Sequence, residues 1–206
     1  FHMLNWALGS SDLLMLPELD IEMVNQNGAL VEGYYITPTP ETANGSSVEG
    51  FVKDTSFSVD RGFYSDPIEV EITTATPGAA IRYTLDGSPP TTTTGIVYDS
   101  PIQITTTTTL RAAAFKEGFQ PTNVDTHTYI YVSDIRNQPT SPPGYPATWG
   151  TAGGSSVNAD YGMDPVVTND PAYSSQIESS LTTTLPVIAI STERDNLFAT
   201  NGIYAN

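Results

Sequence analysis

The chain has 206 residues, with 23 acidic and 7 basic side chains, a net charge of −16 and no cysteine. Such a charge repels phosphate backbones and anionic membrane surfaces, so nucleic acid is excluded as a partner. The missing cysteines exclude a disulfide framework, a thiolate nucleophile and a Cys-ligated zinc. No apolar run approaches the roughly 18 residues that membrane insertion needs. Only 15% of residues are charged, and Thr, Ser, Asn and Gly carry the polar share. Thr favours strands, and Gly, Asn and Pro favour the turns between them.

Residues 1–36 hold short apolar runs at 13–16, 21–24 and 29–31, with Asn27-Gly28 as a hairpin signal between the last two. They read as the end of a small β unit. Residues 37–50 form a linker, extended at Thr37-Pro38-Thr39-Pro40 and flexible at Asn44-Gly45-Ser46-Ser47. The formal sequon Asn44-Gly45-Ser46 is read as linker chemistry.

From 51 to 132 apolar residues alternate with polar ones. Phe57 and Val59 come first, followed by an Asp60-Arg61-Gly62 turn. Ile68, Val70 and Ile72 form one strand face, and Thr76-Pro77-Gly78 turns the chain. Ile81, Tyr83 and Leu85 share the next face. That strand runs into Asp86-Gly87 and is stopped by Pro89-Pro90. A loop at 91–95 precedes short strands around Val97-Tyr98, at Ile102 and Ile104, and at 110–115. Gly118 turns, and 124–131 closes the unit with Val124, Thr126, Thr128 and Ile130 on one face. About seven short strands at close spacing predict a sandwich.

Residues 133–158 are rich in Pro, Gly and Ser and show no period, so they read as a linker or an ordered loop. Asp170-Pro171 then starts a helix over about 171–182, with Tyr173, Ile177 and Leu181 as its apolar stripe. Pro186 ends it, and Val187-Ile188-Ala189-Ile190 reads as a buried-type strand. The last residues resemble the opening of a further α/β domain, and the chain reads as a piece of something longer. The predicted fold class is mainly β: an Fn3/Ig-like β-sandwich, a partial β unit before it, and an irregular C-terminal segment (133–206) with one short helix.

Catalytic chemistry finds little support. The two histidines are His2 and His127, and His127 is expected to be solvated beside Asp125 on the outer face of its strand. No nucleophile and orienting group accompany them. Asp60, Asp66, Asp86, Asp99 and Asp134 sit in turn contexts, which suits turn chemistry better than paired glycosidase carboxylates. Calcium is the one cofactor the acidity leaves open, with Asp160, Asp164 and Asp170 as candidate ligands. They lack the alternate-residue ladder of an EF-hand loop. Tyr145 and Trp149, with Tyr161 nearby, are candidates for stacking on a sugar ring, although loop aromatics commonly pack a loop onto its domain. The threonine runs at 91–94 and 105–109 follow from strand and loop propensity.

Residues 57–131 resemble the Fn3-like module at the C-terminus of chitobiases and β-hexosaminidases. The resemblance rests on Ile81-Arg82-Tyr83-Thr84-Leu85-Asp86-Gly87-Ser88-Pro89-Pro90-Thr91, Tyr98, Pro101-Ile102, Thr108-Thr109-Leu110-Arg111-Ala112 and Ala114-Phe115-Lys116-Glu117-Gly118. Pro90 beside Pro89 is a departure that stiffens the loop. Leu8-Gly9-Ser10-Ser11, then Tyr35-Ile36-Thr37-Pro38-Thr39-Pro40 and Ala43-Asn44-Gly45, resemble the end of a lamin-tail-like domain. Asp160-Tyr161-Gly162-Met163-Asp164-Pro165, Leu185-Pro186, Asp195-Asn196-Leu197-Phe198 and Gly202-Ile203-Tyr204 resemble the lead-in to a spore-coat (CotH) kinase-like domain. The catalytic motifs of that domain are not in these residues. The resemblances imply a non-catalytic structural or adhesive module of a secreted bacterial surface protein. Such a module would act on neighbouring domains or on itself through β edges. The alternatives are a carbohydrate-binding accessory module and a fragment of a kinase-like surface protein.

Overall fold

The computed structural model describes residues 34–35 and 47–204, of which the side chain of Tyr35 is not described. The predicted β unit over 1–36, including Asn27-Gly28, lies outside the described residues except for Tyr34 and Tyr35. So does most of the 37–50 linker. Strand β1 (Tyr34–Tyr35) pairs antiparallel with β2 (Ser47–Val48).

The centre of the chain is mainly strand, as its alternation predicts. One sheet has five strands. In spatial order they are β5 (Gly62–Phe63), β13 (Asp125–Ile130), β11 (Thr108–Phe115), β8 (Ala80–Thr84) and β9 (Ile96–Val97). The facing layer is built on residues 68–74. Their first half, β6 (Ile68–Val70), pairs with β10 (Ile102–Ile104), and their second half, β7 (Ile72–Thr74), pairs with β4 (Thr55–Phe57). The first edge strand changes sheets: β4 belongs to one layer and β5 runs parallel to β13 in the other. Such a crossing at the edge ties two sheets together.

Between the layers lie Val70, Ile72, Ile81, Ile102, Ile104, Leu110, Ala112, Ala114, Tyr129 and Tyr131, all buried. Alanine at 112 and 114 leaves room for the large rings opposite, which is how facing layers interdigitate. Strand β8 ends at Thr84, so Leu85 leaves the sheet and is exposed rather than sharing the inner face with Ile81 and Tyr83. The Asp86 carboxylate accepts from the Ser88 amide (3.0 Å) and hydroxyl (2.6 Å), and Gly87 adopts φ 82°. Those two hydrogen bonds, the hydroxyl's first, hold Asp86 below the usual carboxylate range.

The sequence reading of β13 is corrected. Val124, Thr126, Thr128 and Ile130 do share a face, but it is the outer one. The opposite row of Asp125, His127, Tyr129 and Tyr131 faces the other layer, with Tyr129 at 0% exposure. Aromatic and polar residues occupy the inner positions, so simple hydrophobic alternation points the wrong way here.

Both ends of the sandwich are hydrogen-bonded to what adjoins them. At one pole β3 (Gly50–Phe51) pairs in parallel with β12 (Phe119–Gln120), continued by Glu49 N–H to Gly118 O (2.7 Å) and Val52 N–H to Gln120 O (2.9 Å). A Cβ on Gly50 would lie 2.9 Å from the Phe119 ring, so glycine permits this contact. At the opposite pole β13 runs into helix α1 (Val132–Arg136). There Tyr131 N–H donates to the Thr107 hydroxyl (2.9 Å), and Thr107 N–H donates to the Asp134 carboxylate (2.5 Å).

The segment after α1 is more ordered than its composition predicts. Strands β14 (Thr148–Ala152) and β15 (Ser155–Asn158) form a hairpin. Gly153 and Gly154 turn it at φ 59° and 82°, the backbone a two-residue turn needs. Helix α2 (Pro165–Thr168) follows, then α3 (Pro171–Ser179), which runs on as a π-turn at Ser180–Thr184, and then α4 (Arg194–Phe198). Asp170 caps α3 as predicted, accepting from Ala172 N–H at 2.8 Å. The predicted stripe on α3 is only partly covered, because Tyr173 is exposed.

Residues 187–190 are extended but form no strand, a second correction. Ile188 and Ile190 are 84% and 83% exposed. A run apolar at every position suits a strand covered on both faces. Here all four positions are exposed, and Val187 and Ala189 line a groove shared with Thr126, Thr128 and Ile130.

Candidate functional site

Three places in the described residues carry chemistry worth weighing: a polar seam between the layers, a groove on the outer face, and a ring cluster after the hairpin.

The seam is built by β4 and β13. The Thr55 hydroxyl donates to the Asp125 carboxylate, which also accepts from Asn123 Nδ2 at 3.1 Å. The His127 ring stacks on Phe57 with centroids 4.2 Å apart and planes 15° apart. The Tyr129 hydroxyl donates to the Val59 carbonyl at 3.0 Å, and His127 Nδ1 lies 3.3 Å from the same oxygen. Burial, then the nearby phenol of Tyr64 and carboxylate of Asp60, raises the Tyr129 phenol far above its ordinary value. His127 is therefore a half-buried packing residue, not the solvated one its strand position suggested. Burial first, and then the Arg61 charge, lowers its pKa from 6.5. No nucleophile with an orienting base is assembled here, since these partners are spent on holding β4 and the chain beyond it against β13.

The depressed His127 pKa fixes the sign of a pH effect. The unfolded chain takes up the proton first, so stability from neutral His127 is present above about pH 6.5 and is lost as pH falls through the folded value. His127→Gln is expected to flatten the difference between thermal unfolding curves recorded at pH 7 and pH 5. Equal pH dependence in the two proteins would contradict this placement.

The groove has a volume of about 460 Å³. Thr126, Thr128 and Ile130 of β13 form its floor, Arg61 and Phe63 one wall, and Val187, Ala189 and Ser191 the other. It is where residues 187–191 lie along the sandwich.

The ring cluster gathers residues distant in sequence. Tyr145 and Trp149 meet through Tyr161, at centroid distances of 5.4 Å and 5.3 Å. Tyr204 lies nearly parallel to Trp149 (6.0 Å, 23°) and to Phe198 (5.6 Å, 20°), and Phe198 meets Tyr145 edge-on at 6.3 Å. The Tyr161 hydroxyl donates to Pro146 O at 3.0 Å, and Arg194 Nη1 donates to Gly144 O at 2.7 Å, which seats α4 on the cluster. Tyr204 is held by its own N–H to Leu197 O (2.7 Å) and by Ile203 N–H to Asn196 O (3.0 Å). The sequence pointed to Tyr145, Trp149 and Tyr161. It gave no signal for Phe198 or Tyr204, which arrive through the fold of the last described residues.

The three acidic candidates for calcium are not brought together. Asp160 accepts from Gly162 N–H (3.2 Å), Asp164 caps α2 through Val166 N–H (2.8 Å), and Asp170 caps α3. Among the described residues no group of three acidic or histidine side chains is placed to hold a metal ion. Among them, too, no helix is long and apolar enough to cross a membrane.

Comparison with known families agrees with the sandwich. Residues 59–126 match the family described as Chitobiase/beta-hexosaminidase C-terminal domain. That domain is a non-catalytic β-sandwich module of carbohydrate-active proteins, and the family occurs in secreted glycosidases. The matched stretch runs from β5 through β12 and into the first residues of β13, and it stops before the ring cluster. No curated protein and no solved structure matches the chain.

Proposed function

We propose that this chain is a non-catalytic structural module that sets the distance and orientation of its neighbours in a secreted bacterial surface protein. The observation that carries this reading is the position of the two joints. The incoming segment is paired to β12 at one pole, and the outgoing segment is bonded to Thr107 at the other. The six residues of β13 separate those poles by roughly 17–20 Å. A chain that enters and leaves at opposite ends of a packed body transmits orientation across it.

The sequence resemblances suit the same reading: they would place a lamin-tail-like β unit over 1–36, a linker to 50, the sandwich to 132, and a lead-in to a kinase-like domain after it. The exposed apolar run 187–190 fits a strand whose sheet belongs to that further domain. Edge strand β9, with Ile96 and Val97 exposed, offers unpaired backbone for self-association.

The absence of native cysteine makes the test direct. Spin labels on cysteines introduced at Glu49 and Asn137 are expected to give one narrow distance distribution. Thr107→Val combined with Asp134→Ala is expected to broaden it without unfolding the sandwich. A broad distribution in the unmodified joint would remove the spacer reading.

A further inference from the structure

We propose that the ring cluster on the lead-in is a binding ledge for a neutral pyranose glycan. This goes beyond the spacer reading and does not depend on it.

The five rings do not have equal roles. Tyr161 is structural, since its hydroxyl is tied to Pro146 O. Trp149 and Phe198 are partly covered and form the floor. Tyr145 and Tyr204 are 50% and 49% exposed, and among the described residues neither hydroxyl has a hydrogen-bond partner. A cluster that only packed a loop would bury its rings and tether its phenols. This one leaves two amphipathic rings half in water at its rim. Tyr204 is stepped in near-parallel planes between Trp149 and Phe198.

Two further observations point to a sugar. Apolar surface combined with a few unpaired polar groups is the composition of small-ligand sites. The net charge of −16 disfavours acidic polymers and leaves neutral glycans.

Gly202 holds the ledge in place. A Cβ there would come within 2.5 Å of the Leu197 backbone, so Gly202→Ala has to displace the turn that carries Tyr204. It is a positioning residue.

The experiment uses the full chain with Trp6→Phe, which leaves Trp149 as its single tryptophan. Cellohexaose, chitohexaose, mannohexaose and polygalacturonate are titrated while Trp149 emission is followed. At least one neutral oligosaccharide is expected to shift the emission, and polygalacturonate is not. Tyr145→Ala and Tyr204→Ala are each expected to weaken that glycan about tenfold, as for other exposed aromatic anchors. Tyr204→Phe, which keeps the ring and loses the free hydroxyl, is expected to weaken binding less than Tyr204→Ala, and Gly202→Ala to weaken binding with the ring still present. Ring-proton NMR of the parent chain, in which Tyr145 and Tyr204 signals move with ligand, separates contact from loss of fold in the variants. No emission change with any neutral oligosaccharide, or ring signals that stay still on titration, would overturn the proposal.

Discussion

Tyr129→Ala is expected to cost the sandwich about 3–5 kcal/mol, the usual range for removing a fully buried aromatic ring. Tyr129 has no exposed surface, packs beside the Tyr64 ring at 5.8 Å, and ties the 58–60 bend to β13 through its hydroxyl. Its loss opens a cavity and frees the β4-to-β5 crossing together. In a domain of this size each kcal/mol shifts the melting temperature by about 4–8 °C, so the variant should melt tens of degrees lower or not fold. Thermal unfolding followed by circular dichroism reads this directly. A loss under about 1 kcal/mol would mean that the inner row of β13 is not the buried one.

Tyr131→Ala is expected to be comparably severe, with a second consequence. The ring is almost fully buried, and its hydroxyl reaches Ile104 O at 2.8 Å and Asp66 O at 3.0 Å. One side chain therefore links β13 to β10 and to the turn before β6, at the pole where α1 begins. Tyr131→Phe keeps the ring and leaves those buried carbonyls short of a donor, for about 1–3 kcal/mol. Alanine should cost about 3–5 kcal/mol and also loosen the outgoing joint. Urea denaturation of the two variants checks the order. Equal stabilities would show that the hydroxyl bridge, rather than the ring, dominates.

The strands of this protein were legible wherever an aliphatic residue alternated with a polar one. Ile68, Val70 and Ile72, or Ile102 and Ile104, point inward as their spacing implies. The reading failed where function of position and polarity part company. On β13 the inner row is Asp, His, Tyr and Tyr, each made compatible with burial by a specific partner such as Thr55, Phe57 or Val59. Periodicity has no means of seeing such partners. The hairpin of β14 and β15 was missed, because the Thr and Ser flanking Gly153-Gly154 carry too little apolar pattern to mark strands. Residues 187–190 were read as buried because their composition demands it, and their exposure shows a local pattern unmet by the described residues. The ring cluster was half visible: Tyr145 and Trp149 stood out as loop aromatics, whereas Phe198 and Tyr204 join them only through the turn at Gly202.

The spacer account holds that both joints belong to the same cooperative unit as the sandwich core. Native-state hydrogen exchange measures this amide by amide. The amides of Glu49 and Val52 at one pole, and of Thr107 and Tyr131 at the other, are expected to open with the same free energy as those of β11. Joint amides that exchange as fast as free peptide while β11 stays protected would contradict it.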